Sequence, residues 1–288
     1  MTVLVFGGSS QIGRFLLPRL LARGERVLAL SRHERAGQAS VQWLRGELPD
    51  HMPVIEPVSA IISFGPLGGF ATWLERADLS TQPRVIATSS MSAQTKRDSD
   101  VPAERAISQQ LQAGENALAD VCTRHGCPWT VLRPTLIYGA GLDKSLTPIA
   151  RRAMRLRLFP LPAGRGLRQP VHAEDIAQAV VAVLDQPEAA GRVLSIGGGE
   201  RLPAGDMFAR VRASLPVTTV PLPLPSWLLR LGRRAVPRLR GPLTRLEVDL
   251  IADNSELNRL LGVTPRPFRP DAGCWVAQRG TGNGEPGT

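Results

Sequence analysis

Short apolar runs alternate along this chain with longer stretches in which apolar positions recur at helical spacing. The run at 2–6 predicts a buried strand, and the small residues Gly7, Gly8, Ser9, Ser10, Gln11, Ile12 and Gly13 predict a turn. Residues 14–23 predict a helix, with Ile12 at its start and Leu16 and Leu20 on one face. Pro18 lies inside that stretch and predicts a kinked or shortened helix. Further strands are predicted at 26–30, 40–44, 57–64, 84–88, 129–133 and 192–196, and Val171 reads as strand-like. Helices are predicted at 70–77, 102–125, 148–158, from 173 or 174 to 185, and after Pro203 toward 215. In the long 102–125 helix, Ile107, Leu111, Leu118 and Val121 fall roughly on one side. Strands alternating with helices at this spacing define an α/β chain with a Rossmann-type, doubly wound parallel sheet. Ligands of such sheets lie at the carboxyl ends of the strands.

The pattern changes after residue 140. Residues 1–140 read as the nucleotide-binding core, rejoined by about 167–198; 141–166 and 199–272 read as a small substrate-side lobe. Residues 273–288 read as a disordered tail. The chain has 288 residues and 43% hydrophobic residues, enough for this plan. No apolar run is long enough to span a bilayer and the first residues already form a strand, so neither a membrane helix nor a signal peptide is expected. Cys122, Cys127 and Cys274 have no zinc-type spacing, so no metal site is expected, even with His125 nearby; a reducing cytoplasm is the expected compartment.

The formal charge is +10 and the pI about 11.0. Almost all of it is arginine, since lysine occurs only at Lys96 and Lys144. The cations are spread out and aromatic residues are 5%, which disfavours nucleic acid as partner; an anionic small-molecule substrate accounts for the charge as well.

Six stretches, in order, resemble the extended short-chain dehydrogenase/reductase (SDR) family of the epimerase/dehydratase type. They are Gly7-x-x-Ser10-x-x-Gly13, Thr88-Ser89-Ser90, the run 132–139, the run 171–177, Gly197-Gly198, and Leu260-Leu261-Gly262-Val263-x-Pro265. The resemblance implies that Gly7, Ser10, Gln11, Ile12 and Gly13 cradle the pyrophosphate of a dinucleotide at a helix start, Ser10 standing where the family usually has glycine. It places Glu47 and Leu48 near the adenine, Gly65 after the fourth strand, Pro134 and Thr135 toward the nicotinamide, and Ser89 among the cofactor-binding residues. At the end of the second strand, an acidic residue would bind the ribose of NAD. This chain has Ser31 and Arg32 there, with Arg14 at the helix start, which favours NADP over NAD.

The family's catalytic set is Ser, Tyr and Lys, with Tyr and Lys four apart on the long helix. Ser90 matches the serine. The one tyrosine, Tyr138, is followed four residues later by Leu142, and this sequence holds no Tyr-x-x-x-Lys. Aligning Glu115 with the family's acidic position puts Ile107 and Leu111 at the Tyr and Lys positions. Lys96 and Tyr138 are the candidates for proton transfer in their place, each with a plain alternative as a loop lysine or a packing residue. His172 and Asp175 read as core-closing and capping residues. Arg151, Arg152, Arg155, Arg157, Arg165 and Arg168 suit either a nucleotide diphosphate or a solvated face. In 227–236, Trp227, Leu228, Leu231 and Ala235 can share a helical face, with Arg230 and Arg233 elsewhere and Arg234 at its edge; such a helix suits peripheral contact with an anionic membrane or packing on its own domain. Three function classes follow: an atypical NADP-dependent oxidoreductase or nucleotide-sugar epimerase/dehydratase-like enzyme, a non-catalytic NADP(H)-binding sensor or scaffold, and a membrane-surface protein.

Overall fold

The structure is a computed structural model and describes residues 1–35, 41–225, 227 and 246–276. The elements follow in chain order as β1 (Thr2–Phe6), α1 (Gly13–Ala22), β2 (Arg26–Ser31), β3 (Val41–Arg45), β4 (Ala60–Ser63), α2 (Leu67–Leu74) and β5 (Arg84–Thr88). Then come α3 (Ser92–Thr95), α4 (Pro102–Arg124), β6 (Trp129–Pro134), β7 (Ile137–Tyr138), α5 (Thr147–Leu156), β8 (Leu158–Pro162), β9 (Leu167–Arg168) and β10 (Val171–His172). The remainder is α6 (Ala173–Asp185), β11 (Arg192–Ile196), β12 (Leu202–Pro203), α7 (Ala204–Ala213), β13 (Val220–Leu224) and α8 (Ser255–Leu261).

Seven strands form one parallel sheet in the order β11-β6-β5-β4-β1-β2-β3. The order reverses direction between β1 and β4, where α/β sheets open a ligand crevice. Alternate residues of each strand feed two cores. Val3, Val5, Ile62 and Ile86 pack with α1, α6 and α8, whereas Leu4, Phe6, Ile61 and Val85 pack with α2 and α4. Registers bring Phe6 beside Leu30 and Ser63, Thr88 beside Leu132, and Pro134 beside Ile196. The strand ends therefore form one rim, and every residue expected to hold a cofactor follows it closely.

Pro18 neither ends nor visibly interrupts α1. Its ring is exposed while Leu16 and Leu20 are buried, so the lost N–H falls on the wet side of the helix. On α4, Ile107 is exposed and Leu111 half-buried, contrary to the expected stripe. The inward face instead carries Glu104, Ser108, Gly114, Glu115, Leu118, Val121 and Cys122.

A second lobe has its own core of Tyr138, Phe159, Phe208, Phe268 and Trp275 among others. Four short pairings assemble it: β10 with β7, β12 with β9, β13 with β8, and the single bridge Arg168–Leu250. Residues 272–275 form a helical turn inside this lobe, so 273–275 are ordered there and are not part of a disordered tail. The Trp275 indole donates to Ser214 Oγ at 2.8 Å, and its carbonyl accepts from Arg151 Nε at 3.1 Å. Residues 277–288, and all of 227–236 except Trp227, lie outside the described residues. All three cysteines are buried, and burial pushes the Cys122 thiol up to about 12 and the Cys274 thiol to about 11.

Candidate functional site

The β1–α1 turn closes tightly. Gly7 has φ +74°, a left-handed conformation that glycine adopts at least cost. Ser10 N–H donates to the Gly7 carbonyl at 2.8 Å, and Gly13 N–H donates to Ser10 Oγ at 3.1 Å. The hydroxyl at the position where the family usually has glycine thus caps the first turn of α1. At Gly13 a Cβ would lie 2.3 Å from the Gly8 carbonyl oxygen, so only glycine lets the helix start this close to the turn. Ile12 is buried beneath it. Two polar atoms on the strand-end rim are buried without a partner, Gln11 Oε1 in this turn and Ser89 Oγ just after β5. Each costs about 1–3 kcal/mol while unpaired. With the N–H groups of the helix start, they fit the edge of a dinucleotide site.

At the far end of the rim, Ser31 is nearly buried, and its Oγ accepts from His33 N–H at 3.2 Å and Arg35 Nε at 3.3 Å. Arg32 is exposed, 4.0 Å from Glu47 Oε1. Arg35 lies 5.1 Å above the Trp43 ring, a cation–π arrangement. Arg35 and Trp43 escaped the sequence reading; the repeat of arginine three residues after Arg32 is the signal that marks the first of them. Glu47 and His51 exchange backbone hydrogen bonds of 2.7 and 3.0 Å, and Leu48 Cδ1 lies within 3.6 Å of where a Gly65 Cβ would be. Glu47, Leu48 and Gly65 thus share one wall.

A cavity of about 1350 Å³ runs from Ser10 and Gln11 past Ser90, Lys96 and Thr135 to Arg168 and Phe208 in the lobe. Ser90 lines it while its Oγ accepts from Ser92 N–H at 3.1 Å, so it is both strand-end cap and cavity wall. Pro134 accepts from Met91 N–H at 2.9 Å, tying β6 to the loop that carries Ser90. Tyr138 is fully buried, edge-on to His172 and Phe268, and is not part of the cavity wall. Burial pushes its hydroxyl well above the ordinary tyrosine value. This corrects Tyr138 as a candidate for proton transfer: it has neither the access nor the acidity. His172 Nδ1 accepts from Glu174 N–H at 3.2 Å and caps α6, while Asp175 takes two hydrogen bonds from Arg266.

Of the six clustered arginines, Arg168 alone lines the cavity. It is 5% exposed and donates to the carbonyls of Leu167 and Val248 at 2.8 and 2.7 Å. Burial lowers its pKa, opposed by the charges of Asp249 and Glu247. Arg151 is a strut to Trp275 and Gly141; Arg152, Arg155, Arg157 and Arg165 are exposed.

Buried Glu115 and half-buried Arg133 fix α4 against β6 through two hydrogen bonds, one of them 2.8 Å. In this register Ile107 and Leu111 stay outside the cavity wall, and Glu104 is the α4 residue that reaches it. Ser99 Oγ donates to Glu104 Oε2 at 2.8 Å, and Ser108 Oγ donates to the Ala93 carbonyl at 2.6 Å. Glu104 was missed because the apolar stripe was read as the inward face. The polar spacing 104, 108, 112, 115 is the signal that reveals it.

The fold is a Rossmann-type parallel α/β sheet whose strand-end rim opens into a second lobe with its own core. Residues 92–197 match the model of the NAD dependent epimerase/dehydratase family. A UDP-glucose 4-epimerase of Vibrio cholerae is 26% identical over 138 residues, a stretch that is 47% of this chain and 41% of the relative. Two solved structures share the fold. UDP-glucuronic acid 4-epimerase from Bacillus cereus in complex with NAD has TM-score 0.71, 16% identity, and coverage of 95% of this chain and 97% of that one. UDP-glucose 4-epimerase from Thermotoga maritima with UDP-glucose has TM-score 0.69, 16% identity, and coverage of 96% and 97%. Among the described residues, no helix is long and apolar enough to cross a membrane.

Proposed function

We propose that this chain binds NADP in preference to NAD, together with an anionic substrate of the nucleotide-diphosphate-sugar class, as an atypical oxidoreductase or epimerase-like enzyme. One observation carries the reading: a single cavity joins the glycine turn at Ser10 and Gln11 to the buried, cationic Arg168 in the lobe. Gly7, Ser10, Gln11, Ile12 and Gly13 would hold the pyrophosphate, and Glu47, Leu48 and Gly65 the adenine. Ser89 and Pro134 would border the nicotinamide. Ser31, Arg32 and Arg35 would meet a 2′-phosphate through charge-assisted hydrogen bonds. When bound, the dinucleotide supplies a hydride acceptor and donor. Arg168 would pair with the substrate's diphosphate, Ser90 would orient the substrate oxygen, and Lys96 in the same wall would carry its proton.

The sequence holds no Tyr-x-x-x-Lys, which favours a second reading: a dinucleotide-binding sensor or scaffold without turnover. Titration of NADPH and NADH, followed by turnover assays on a nucleotide-sugar panel, separates the two. Charge-assisted hydrogen bonds of about 1.5–3 kcal/mol predict that Arg32→Asp weakens NADP binding by about 10- to 100-fold, while NAD binding is kept or tightened by the new carboxylate. An unchanged NADP affinity overturns the cofactor assignment. NADPH that binds and is never oxidised favours the sensor.

A further inference from the structure

We propose that the outer face made by the end of α5, β8 and β13 docks on an anionic lipid bilayer. The face is apolar where a lobe surface is expected to be polar. Leu156, Leu158, Val220 and Leu222 are 48–61% exposed. They are contiguous: Val220 pairs with Leu158, Leu222 pairs with Pro160, and Val220 N–H donates to the Arg157 carbonyl at 2.8 Å. Phe159, between them in sequence, is fully buried in the lobe core. β8 therefore turns Phe159 to the lobe core, while β13 is exposed from Val220 to Pro223 and, with Leu158, presents an apolar surface to solvent.

The described stretches that carry this face, 144–173 and 207–225, contain eight arginines and one lysine and no aspartate or glutamate. On α5, Thr147, Ala150 and Ala153 face inward, and Arg152 and Arg155 are exposed. Arg152 lies one helical turn from Leu156, so cation and apolar side chain share a surface patch. None of Arg152, Arg155 and Arg157 forms a salt bridge among the described residues.

The strand edge narrows the choice of partner. Pro221 and Pro223 have no N–H to offer, so β13 is ill-suited to extend the sheet into another chain; contact is through the face. A second copy of this chain in a two-fold contact would set arginine against arginine. An anionic bilayer satisfies both properties at once: headgroups meet the guanidinium groups, and the leucine and valine side chains enter the interface.

The test is flotation of the full chain with phosphatidylcholine vesicles, with and without phosphatidylglycerol, at low and high salt. The chain is expected to float with the anionic vesicles alone and to be released by salt. Each arginine near an anionic surface contributes about fivefold to partitioning. Arg152→Glu with Arg155→Glu is therefore expected to weaken binding at least about tenfold. Val220→Ser with Leu222→Ser is expected to weaken it as well. All four side chains are exposed, so both variants should keep the wild-type melting curve. Wild-type protein that stays unbound to anionic vesicles, or variants that float as wild type does, overturn the proposal.

Discussion

Replacing Gly13 by alanine puts one methyl group where the β1–α1 turn folds back on itself. That Cβ would lie 2.3 Å from the Gly8 oxygen, 2.5 Å from the Gly8 carbonyl carbon and 2.6 Å from the Gly7 oxygen. Ordinary carbon–oxygen contacts are about 3.3–3.6 Å, so relief takes a shift of about 1 Å. All three neighbours are backbone atoms, and no change of rotamer relieves the clash. Overpacking of this kind costs about 1–3 kcal/mol, which lowers Tm by about 2–12 °C in a domain of this size. The same shift moves the N–H groups at the start of α1. A displacement of about 1 Å costs about 100-fold where geometry is tight, so NADPH affinity should fall by about that factor. Two alanine variants calibrate the effect. At Gly8 the nearest contacts are side-chain atoms at 3.3–3.4 Å, which can give way. At Gly24, with φ +73° and nothing within 4 Å, alanine should cost about 1–2 kcal/mol for the left-handed backbone and leave binding unchanged. Differential scanning fluorimetry and NADPH fluorescence titration measure both quantities. Gly13→Ala protein that binds NADPH no worse than Gly24→Ala protein refutes the reasoning.

Glu115→Leu strands the Arg133 charge in the interior and should cost about 3–5 kcal/mol in urea unfolding, much of it recovered when Arg133→Leu is added. A double variant as unstable as the two singles combined counts against the pair. His172 is held below its ordinary pKa near 6.5 by burial and by Arg266. The unfolded chain then binds the extra proton as pH falls below about 6.5, and stability falls with it. Tm measured across this range should slope more steeply for wild type than for His172→Asn, and equal slopes argue against the assignment. Tyr138→Phe should leave NADPH affinity and any turnover unchanged, because the hydroxyl lies outside the cavity wall; a lost activity would return Tyr138 to the candidates.

The main sheet was legible because its strands are buried on both faces and so read as continuous apolar runs. The 84–88 and 192–196 runs match β5 and β11 residue for residue. The lobe was not legible in the same way. Two-residue strands such as β7, β9, β10 and β12 are too short to carry a period, and their partners lie far off in sequence. On α4, hydropathy pointed to Ile107, whereas Glu104, Ser108 and Gln112 turn inward because the Ser99 hydroxyl and the Ala93 carbonyl satisfy them. Arg133 read as one more strand residue until Glu115 was found against it. The glycine turn stood out in sequence, but the unpaired oxygens of Gln11 in that turn and of Ser89 after β5 emerge only in the folded sheet, where β4 joins β1 to β5.

Trp275 sets an order in time. The seven-stranded sheet has all its strands once residue 196 has been made, whereas the lobe core waits for the indole that closes it. On a chain synthesised from its N-terminus, all seven strands of the sheet are therefore available before the residue that closes the lobe core. A dinucleotide already seated on the nascent sheet would present a surface on which the lobe folds. Scarce cofactor would then show first as slow maturation of the protein, ahead of any change in the finished molecule.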